Sequence, residues 1–423
     1  MNVLNLIYNE YLTFLKDNGI DIEKYNLTEG YYWLDTAIIK AYDKQGNIHK
    51  IIRLLIDDDL KLSVKTVYEN KPFEIESWGE TVIRNMEHLS IIENESLTLI
   101  KESMLKYNLL IPKILTSGGK DSSVTMHLAR KVAPNIEALF SNTSLDCSDT
   151  YLHIKTLDNV RTINPQEGFY QWQKRTNFVP TRFARVCCRL FKENATDILD
   201  SEHKYLFFMG MRNQESNARS GYGDEWKHIE WIEGWQGILP IRKWTEEEIW
   251  LYILWRNISV NSKYKKGYTR VGCSIACPFY TKSTWVLDKY WYPKMYNRWQ
   301  NILEEDFVKN NKALIMNCTK EEYKLKSWNG TLLRSEPTKE VIKEFANENG
   351  LDINVAEKYF SHICEDCNKR IRSKEVLAMN MKFLGRNTSK FYCKKHLMEK
   401  LEITKEQWNE YVEGFKADKC DLF

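Results

Sequence analysis

The segment Leu115-Thr-Ser-Gly-Gly-Lys-Asp-Ser-Ser123 constrains this chain more than any other stretch, because it sets a glycine pair between an apolar run and an amphipathic helix. Leu109 to Thr116 is short and nearly continuously apolar, as a strand buried on both faces should be. Val124, Leu128 and Val132 recur at i, i+4 and i+8, which predicts a helix, and Asp121 or Ser122 can cap its start. Gly118 and Gly119 let the backbone turn sharply and bring its N–H groups close to a ligand. The helix N-terminus adds partial positive charge and Lys120 a full one, so Ser117 to Ser122 reads as a phosphate or pyrophosphate cradle. Two other phosphate loops are excluded. The P-loop of nucleoside triphosphatases needs glycine where Ile114 stands and Ser or Thr where Asp121 stands, and no G-x-G-x-x-G follows a strand.

Ile136 to Ser141, Asn159 to Ile163 and Tyr205 to Met209 are further strand candidates, with helical stretches between them. That alternation predicts a parallel sheet with helices on both faces, over residues 96–335. Ligands of such sheets gather outside the carboxyl ends of the strands. The loop at 117–122, Asn142-Thr143 and Gly210-Met211-Arg212 all follow strands and would face one crevice. Residues 1–95 read as an accessory α+β region, with strand-like runs at Tyr31 to Tyr42 and His49 to Ile56 and a turn at Lys44-Gln45-Gly46-Asn47. A helix is expected from about Glu80 to Tyr107. Residues 336–423 form a third, basic and cysteine-bearing region.

Apolar residues make up 43% of the 423-residue chain and charged residues 28%, so a sizeable core is expected and disorder is not. No run of about 18 apolar residues marks a membrane span. Met1 to Asp17 lacks the basic start and uninterrupted apolar core of a signal peptide, and a cytoplasmic location is expected. In that compartment, clustered cysteines read as metal ligands or catalytic groups rather than disulfides. Ten are present, of which Cys147, Cys318 and Cys420 stand alone.

Ser-Gly-Gly-Lys-Asp-Ser resembles the PP-loop of the ATP pyrophosphatases, and four further stretches resemble the phosphoadenosine-phosphosulfate (PAPS) reductase branch of that superfamily. They are Pro180 to Lys192 with its Cys-Cys pair, Gly210-Met-Arg-Asn-Gln-Glu-Ser-Asn-Ala-Arg219, Leu239 to Trp250, and Tyr264 to Pro278. They occur in the expected order over about 105–285. The resemblance implies a PP-loop adenine-nucleotide α-hydrolase-like α/β fold. It also implies an adenine nucleotide held by Ser117, Gly118, Gly119, Lys120, Asp121, Ser122, Asn142, Thr143, Arg212 and Arg270, with Lys120, Asp121 and Arg212 catalytic. Asn142-Thr143-Ser144 stands where relatives often carry Asp-Thr-Gly. Arg212, Arg219 and Arg270 can hold phosphate or sulfate oxygens bidentately, while Arg219 can instead pair with Glu215.

Two sets of metal ligands are expected. Cys187, Cys188, Cys273 and Cys277 match the Cys-Cys and later Cys pair of the family's cluster-bearing, adenylyl-sulfate-reductase-like members, here with a C-x-x-x-C spacing. The resemblance implies a [4Fe–4S] cluster; structural zinc and unliganded buried thiols are the other readings. Cys364-Glu-Asp-Cys367 and Cys393-Lys-Lys-His396, with 25 residues between the pairs, have the spacing of a structural zinc site. The lysines and arginines around it, interleaved with Phe383, Phe391 and Tyr392, suit nucleic-acid backbone contact or simply a solvated knuckle.

Three functions fit. The first is ATP-dependent adenylylation of an acceptor, followed by displacement of AMP by sulfur. It resembles the reactions of DNA phosphorothioation and tRNA thiolation, with DNA or tRNA as acceptor, a sulfur donor protein as partner and Mg²⁺ as cofactor, Asp121 being the ligand at hand. The second is reduction of adenylyl sulfate or PAPS to sulfite, which in the family uses a C-terminal cysteine motif absent here; only Cys420 could substitute. The third is a non-catalytic nucleotide-binding module.

Overall fold

The computed structural model describes residues 3–417 apart from 183, 185, 194–202, 216–218, 220, 227–234, 274, 331–335, 372, 386–387 and 389. Its backbone divides into two compact units. One comprises Met1–Phe169, Cys188–Ile275 and Thr281–Pro293; the other comprises Tyr170–Cys187, Ala276–Tyr280 and Lys294–Phe423.

The first unit opens with β1 (Leu4–Leu6) and α1 (Asn9–Asp17), followed by β2 (Tyr32–Asp35), β3 (Ile38–Tyr42), β4 (Ile48–Ile56) and β5 (Leu62–Val67). These strands form an antiparallel sheet in the order β1-β2-β3-β4-β5. The run Tyr31 to Tyr42, expected as one strand, is a hairpin. Asp35 pairs with Ile38 across a turn at Thr36-Ala37, and Thr36 takes φ +58° without any residue type that announces a turn.

Helix α2 (Trp78–Lys106) begins with a capping box, in which Ser77 Oγ accepts from the Glu80 amide and Glu80 reaches back to the Ser77 amide. It leads to the second sheet. Here β6 (Ile111–Thr116), α3 (Lys120–Val132), β7 (Ala138–Ser141), α4 (Ser148–Lys155), β8 (Val160–Ile163), β9 (Tyr205–Met209), β10 (Glu225–Trp226) and β11 (Gln236–Ile238) follow in chain order. The strand order is β10-β11-β9-β6-β7-β8, parallel except for the β10 edge. The predicted parallel α/β sheet is therefore present. Strand β9 is buried along its whole length, whereas β6 starts later than its apolar run because Leu109 sits exposed in the turn after α2.

The two sheets share one core. Leu6 and Trp33 from the first join Ile114, Val124, Leu128 and Phe208 from the second, together with Ile249 and Trp250 of the helix Glu246–Arg256. Directional bonds accompany the packing. Trp250 Nε1 donates to the Leu4 carbonyl at 2.9 Å, and Asn5 Nδ2 donates to the carbonyls of Tyr264 (2.9 Å) and Tyr268 (3.0 Å). The residues before 96 thus belong to the same core as the nucleotide loop. In the second unit the helices Lys374–Leu384, Lys394–Leu401 and Lys405–Ala417 enclose a core of Val376, Met379, Phe391, Leu397 and Trp408.

Glu93, buried midway along α2, ties three helices. It accepts from Lys131 of α3 and from Tyr252 and Arg256 of the helix Glu246–Arg256. Burial opposes its charge, but these donors outweigh it and hold the carboxyl below its ordinary range. Its contribution is therefore complete above the unfolded glutamate pKa of about 4.3 and is lost as the pH falls through the lower folded value. We expect Glu93→Gln to destabilise the chain by about 2 kcal/mol at pH 7, the scale of a hydrogen bond to a charged group, and the difference from wild type to shrink at pH 3. Urea denaturation at the two pH values measures both.

Candidate functional site

Strand β6 delivers Thr116 to the foot of the glycine loop. Thr116 Oγ1 accepts from the Gly118 amide at 3.1 Å and donates to Ser122 Oγ, which in turn donates to the Gly119 carbonyl at 2.9 Å. Gly118 turns with φ +68°, and Gly119 is the N-cap of α3. The amide of Lys120 donates to the Tyr264 hydroxyl at 3.0 Å. The amides of Gly119, Asp121 and Ser122 donate to no described residue, which leaves helix-start donors for an anion. Gly210, after β9, closes over this turn. A Cβ there would lie 2.7 Å from the Asp121 carbonyl and 2.8 Å from the Ser122 nitrogen, so only glycine fits.

Four charged side chains meet beside the loop. Lys120 Nζ lies 3.0 Å from Asp121 and 3.1 Å from Glu246, and the buried Arg212 guanidinium donates to both Asp121 and Glu246. Burial opposes the charge on Lys120, yet Asp121, Tyr264 and Glu246 together hold its ammonium above the ordinary lysine range. Burial opposes the charge on Asp121 as well, and Lys120 and Arg212 hold its carboxyl below the ordinary range. The quartet is neutral in sum, and its two carboxylates offer oxygen ligands to a hard cation.

The other residues expected at the nucleotide are committed differently. Asn142 Oδ1 accepts from the Ser144 amide and from Tyr151, and its amide donates to Asn164. Thr143 Oγ1 donates to Asp146 at 2.6 Å and accepts from the Leu145 amide. Both side chains hold the loop after β7 in shape. Burial pushes the Asp146 carboxyl up; the Thr143 hydroxyl opposes this and the Cys273 thiol reinforces it. Arg219 pairs with Glu215, the ion pair open to it from their spacing, and Arg270 is exposed beside Val271. Sequence reasoning missed Glu246, since an acid in the first turn of a helix is expected for its dipole alone. It also missed the Tyr264 contact to the loop, which lies within a recognised motif but spans 144 residues.

In the second unit, Cys364, Cys367, Cys393 and His396 place their donor atoms within 4.8 Å of one another. Cys364 Sγ lies 3.2 Å and Cys393 Sγ 3.5 Å from His396 Nδ1, and the Cys367 and Cys393 sulfurs are 3.9 Å apart. With metal–sulfur bonds of about 2.3 Å, a tetrahedral ion spaces two sulfurs by about 3.8 Å, so the group has the dimensions of a metal site. Local structure sets it up. Asn368 takes φ +53° and turns the chain after Cys367, and Cys393 is the N-cap that puts His396 in the first turn of the helix Lys394–Leu401. Burial raises the Cys364 thiol, but the Cys393 amide, His396 and further amides outweigh it and bring it to about 6, close to the thiolate a metal needs. Of the other predicted ligands, Cys188 and Cys273 belong to the first unit and Cys187 and Cys277 to the second; none is in a disulfide. Cys420 lies outside the described residues.

A glycine loop between a parallel strand and a helix, ringed by buried cations, defines a nucleotide-binding domain of the PP-loop class. Residues 111–278 match the model of the phosphoadenosine phosphosulfate reductase domain, which marks this stretch of the chain as a domain of that kind. Two uncharacterised proteins of Methanocaldococcus jannaschii are similar to it. One is 28% identical over 57% of this chain and 60% of its own length, the other 26% identical over 70% of this chain and 62% of its own. The chain thus spans about three fifths of the length of these relatives. The adenosine 5'-phosphosulfate reductase of Bacillus cytotoxicus is 25% identical over 37% of this chain and 69% of its own length. Among the described residues, no helix is long and apolar enough to cross a membrane.

Two outcomes follow. Gly210→Ala should push the start of α3 out of register, lowering adenine-nucleotide affinity at least tenfold in calorimetry at a stability cost of about 1–3 kcal/mol. Cys364→Ser and Cys393→Ser should each lose one bound metal ion per chain by elemental analysis and open residues 360–400 to proteolysis.

Proposed function

We propose that this chain is an ATP pyrophosphatase that adenylylates an acceptor oxygen and passes the activated acceptor to sulfur. The observation that carries the reading is the quartet of Lys120, Asp121, Arg212 and Glu246 against the free amides of the glycine loop. A sulfonucleotide is an anion that cations and amides alone can hold. The two carboxylates set among those cations suit a triphosphate that arrives with Mg²⁺, which when bound would share the charge of the leaving pyrophosphate. Asp121 and Glu246 are the residues that would hold that ion.

The loop amides and Lys120 then hold the β and γ phosphates, and Arg212 keeps the two carboxylates in place. The acceptor oxygen attacks the α phosphorus. The bond from that phosphorus to the bridging oxygen breaks and pyrophosphate departs, leaving the acceptor esterified to AMP. A sulfur nucleophile from an external donor attacks the acceptor carbon and AMP leaves with the carbon–oxygen bond pair. The sequence resemblance to cluster-bearing relatives supports Cys187, Cys188, Cys273 and Cys277, all free thiols, as the residues that would ligate a [4Fe–4S] cluster, which would bring sulfur to this step. Cys364, Cys367, Cys393 and His396 suit structural zinc. A nucleic acid is the acceptor class that the basic residues around that zinc site favour.

A second reading rests on the likeness to an adenosine 5'-phosphosulfate reductase, in which a thiol would attack the sulfur of the sulfonucleotide and sulfite would be released. Anaerobically purified protein, assayed for iron and zinc and then incubated with ATP, adenylyl sulfate and PAPS in the presence of tRNA or DNA, separates the two. We expect AMP and pyrophosphate from ATP, dependent on Mg²⁺ and lost in Glu246→Gln. Sulfite release from either sulfonucleotide with reduced thioredoxin, and no pyrophosphate from ATP, would make the protein a reductase.

A further inference from the structure

A cavity of about 330 Å³ opens in the first unit, away from the glycine loop. Its floor is apolar, made by Phe14, Leu34, Leu54 and Leu287. Its walls are the antiparallel sheet on one side, and the segment 267–269 with the start of the helix Lys282–Trp291 on the other. Arg53, Lys65 and Lys282 line it, and no aspartate or glutamate does. Lys282 pairs with Asp58, while the side chains of Arg53 and Lys65 make no hydrogen bond or ion pair with any described residue.

The backbone presents these cations in an irregular way. Arg53 pairs with Thr66 and Leu54 with Val64, so Lys65 is the extra residue of a β-bulge, a device that re-aims a side chain. Thr36, which also lines the cavity, is a β-branched residue held at φ +58°, a conformation that costs energy and persists where the surroundings demand it. Opposite, the hydroxyls of Thr281, Ser283 and Thr284 stand at the N-terminus of a ten-residue helix, where N–H groups and the helix dipole favour negative charge. The volume falls at the lower end of that of small-molecule sites, about 300–1,000 Å³.

We propose that this cavity binds a small amphiphilic anion, an acyl or aryl body bearing one carboxylate, sulfonate or phosphate, with the body on the Phe14–Leu54 floor and the anion between Arg53, Lys65 and the helix start. The site stands apart from the nucleotide reading. Its wall is nevertheless the segment after Tyr264, the residue that receives the Lys120 amide.

Calorimetry on the full chain tests it with decanoate for the acyl source, 1-naphthalenesulfonate for the aryl source, and decanol and inorganic phosphate for the two halves of the chemistry. We expect one of the two amphiphilic anions to bind at one site per chain, at least tenfold more tightly than decanol or phosphate. Binding should weaken at least tenfold in the Arg53→Gln/Lys65→Gln double variant, whose surface positions leave melting and ATP affinity unchanged, and should be blocked by Ala37→Trp, which fills the cavity. The proposal is overturned if neither anion binds stoichiometrically, if the double variant binds as tightly as the wild type, or if decanol or phosphate alone binds equally well.

Discussion

Lys120, Arg212 and Glu246 are buried beside the half-buried Asp121 where β6 and β9 end, and the surrounding fold is arranged to make that burial tolerable. Charges removed from water must be matched almost completely, and taking one partner from such a group costs about 3–5 kcal/mol because the others are left uncompensated. The four come from three parts of the chain. Lys120 and Asp121 open α3, Arg212 follows β9, and Glu246 starts a helix whose own N-terminus is closed by the Thr245 capping box. Strand pairing between β6 and β9 sets the first three at one height, and Gly210 lets the two loops approach to backbone contact. The register of the sheet and the composition of the site are one constraint seen at two scales.

The loop's shape is fixed by its own neighbours. Thr116 and Ser122 fasten it from within, and Tyr264 takes the Lys120 amide from outside. An incoming phosphate meets preformed donors rather than a loop that must be ordered, which reduces the entropy cost of binding.

The parallel sheet was readable because β7 and β9 coincide with short apolar runs, as central strands do when helices cover both faces, and the edge strand β8 followed from the alternation with helices. The glycine loop was readable because its residue types have few other uses in a strand-to-helix turn. The hairpin at Thr36-Ala37 was not, since neither residue favours a turn and the φ +58° at Thr36 is imposed by strand pairing. Strands β10 and β11, of two and three residues, carry too little pattern to register. The four-donor metal group was legible from spacing alone because ligand pairs of that kind sit on local turns. Glu246 was not, because its partners lie 126 and 34 residues away and nothing local distinguishes it from any acid at a helix start.

Beyond its ladder with β2, the first strand is bonded to residues late in its own unit. Asn5 reaches carbonyls 259 and 263 residues ahead, and Leu4 is bonded by a tryptophan 246 residues ahead. At a synthesis rate of about 5–20 residues per second, β1 emerges from the ribosome roughly 13 to 50 seconds before the loop that satisfies it. Until then β1 can pair with β2 in a sheet already complete by Val67, but the Asn5 amide lacks these two acceptors and the face turned to Trp250 is uncovered. The antiparallel sheet is therefore local in its pairing but depends on residues such as Trp250, 246 positions after Leu4, to cover its core face, and over that interval this face is the part of the unit that needs shielding from other chains.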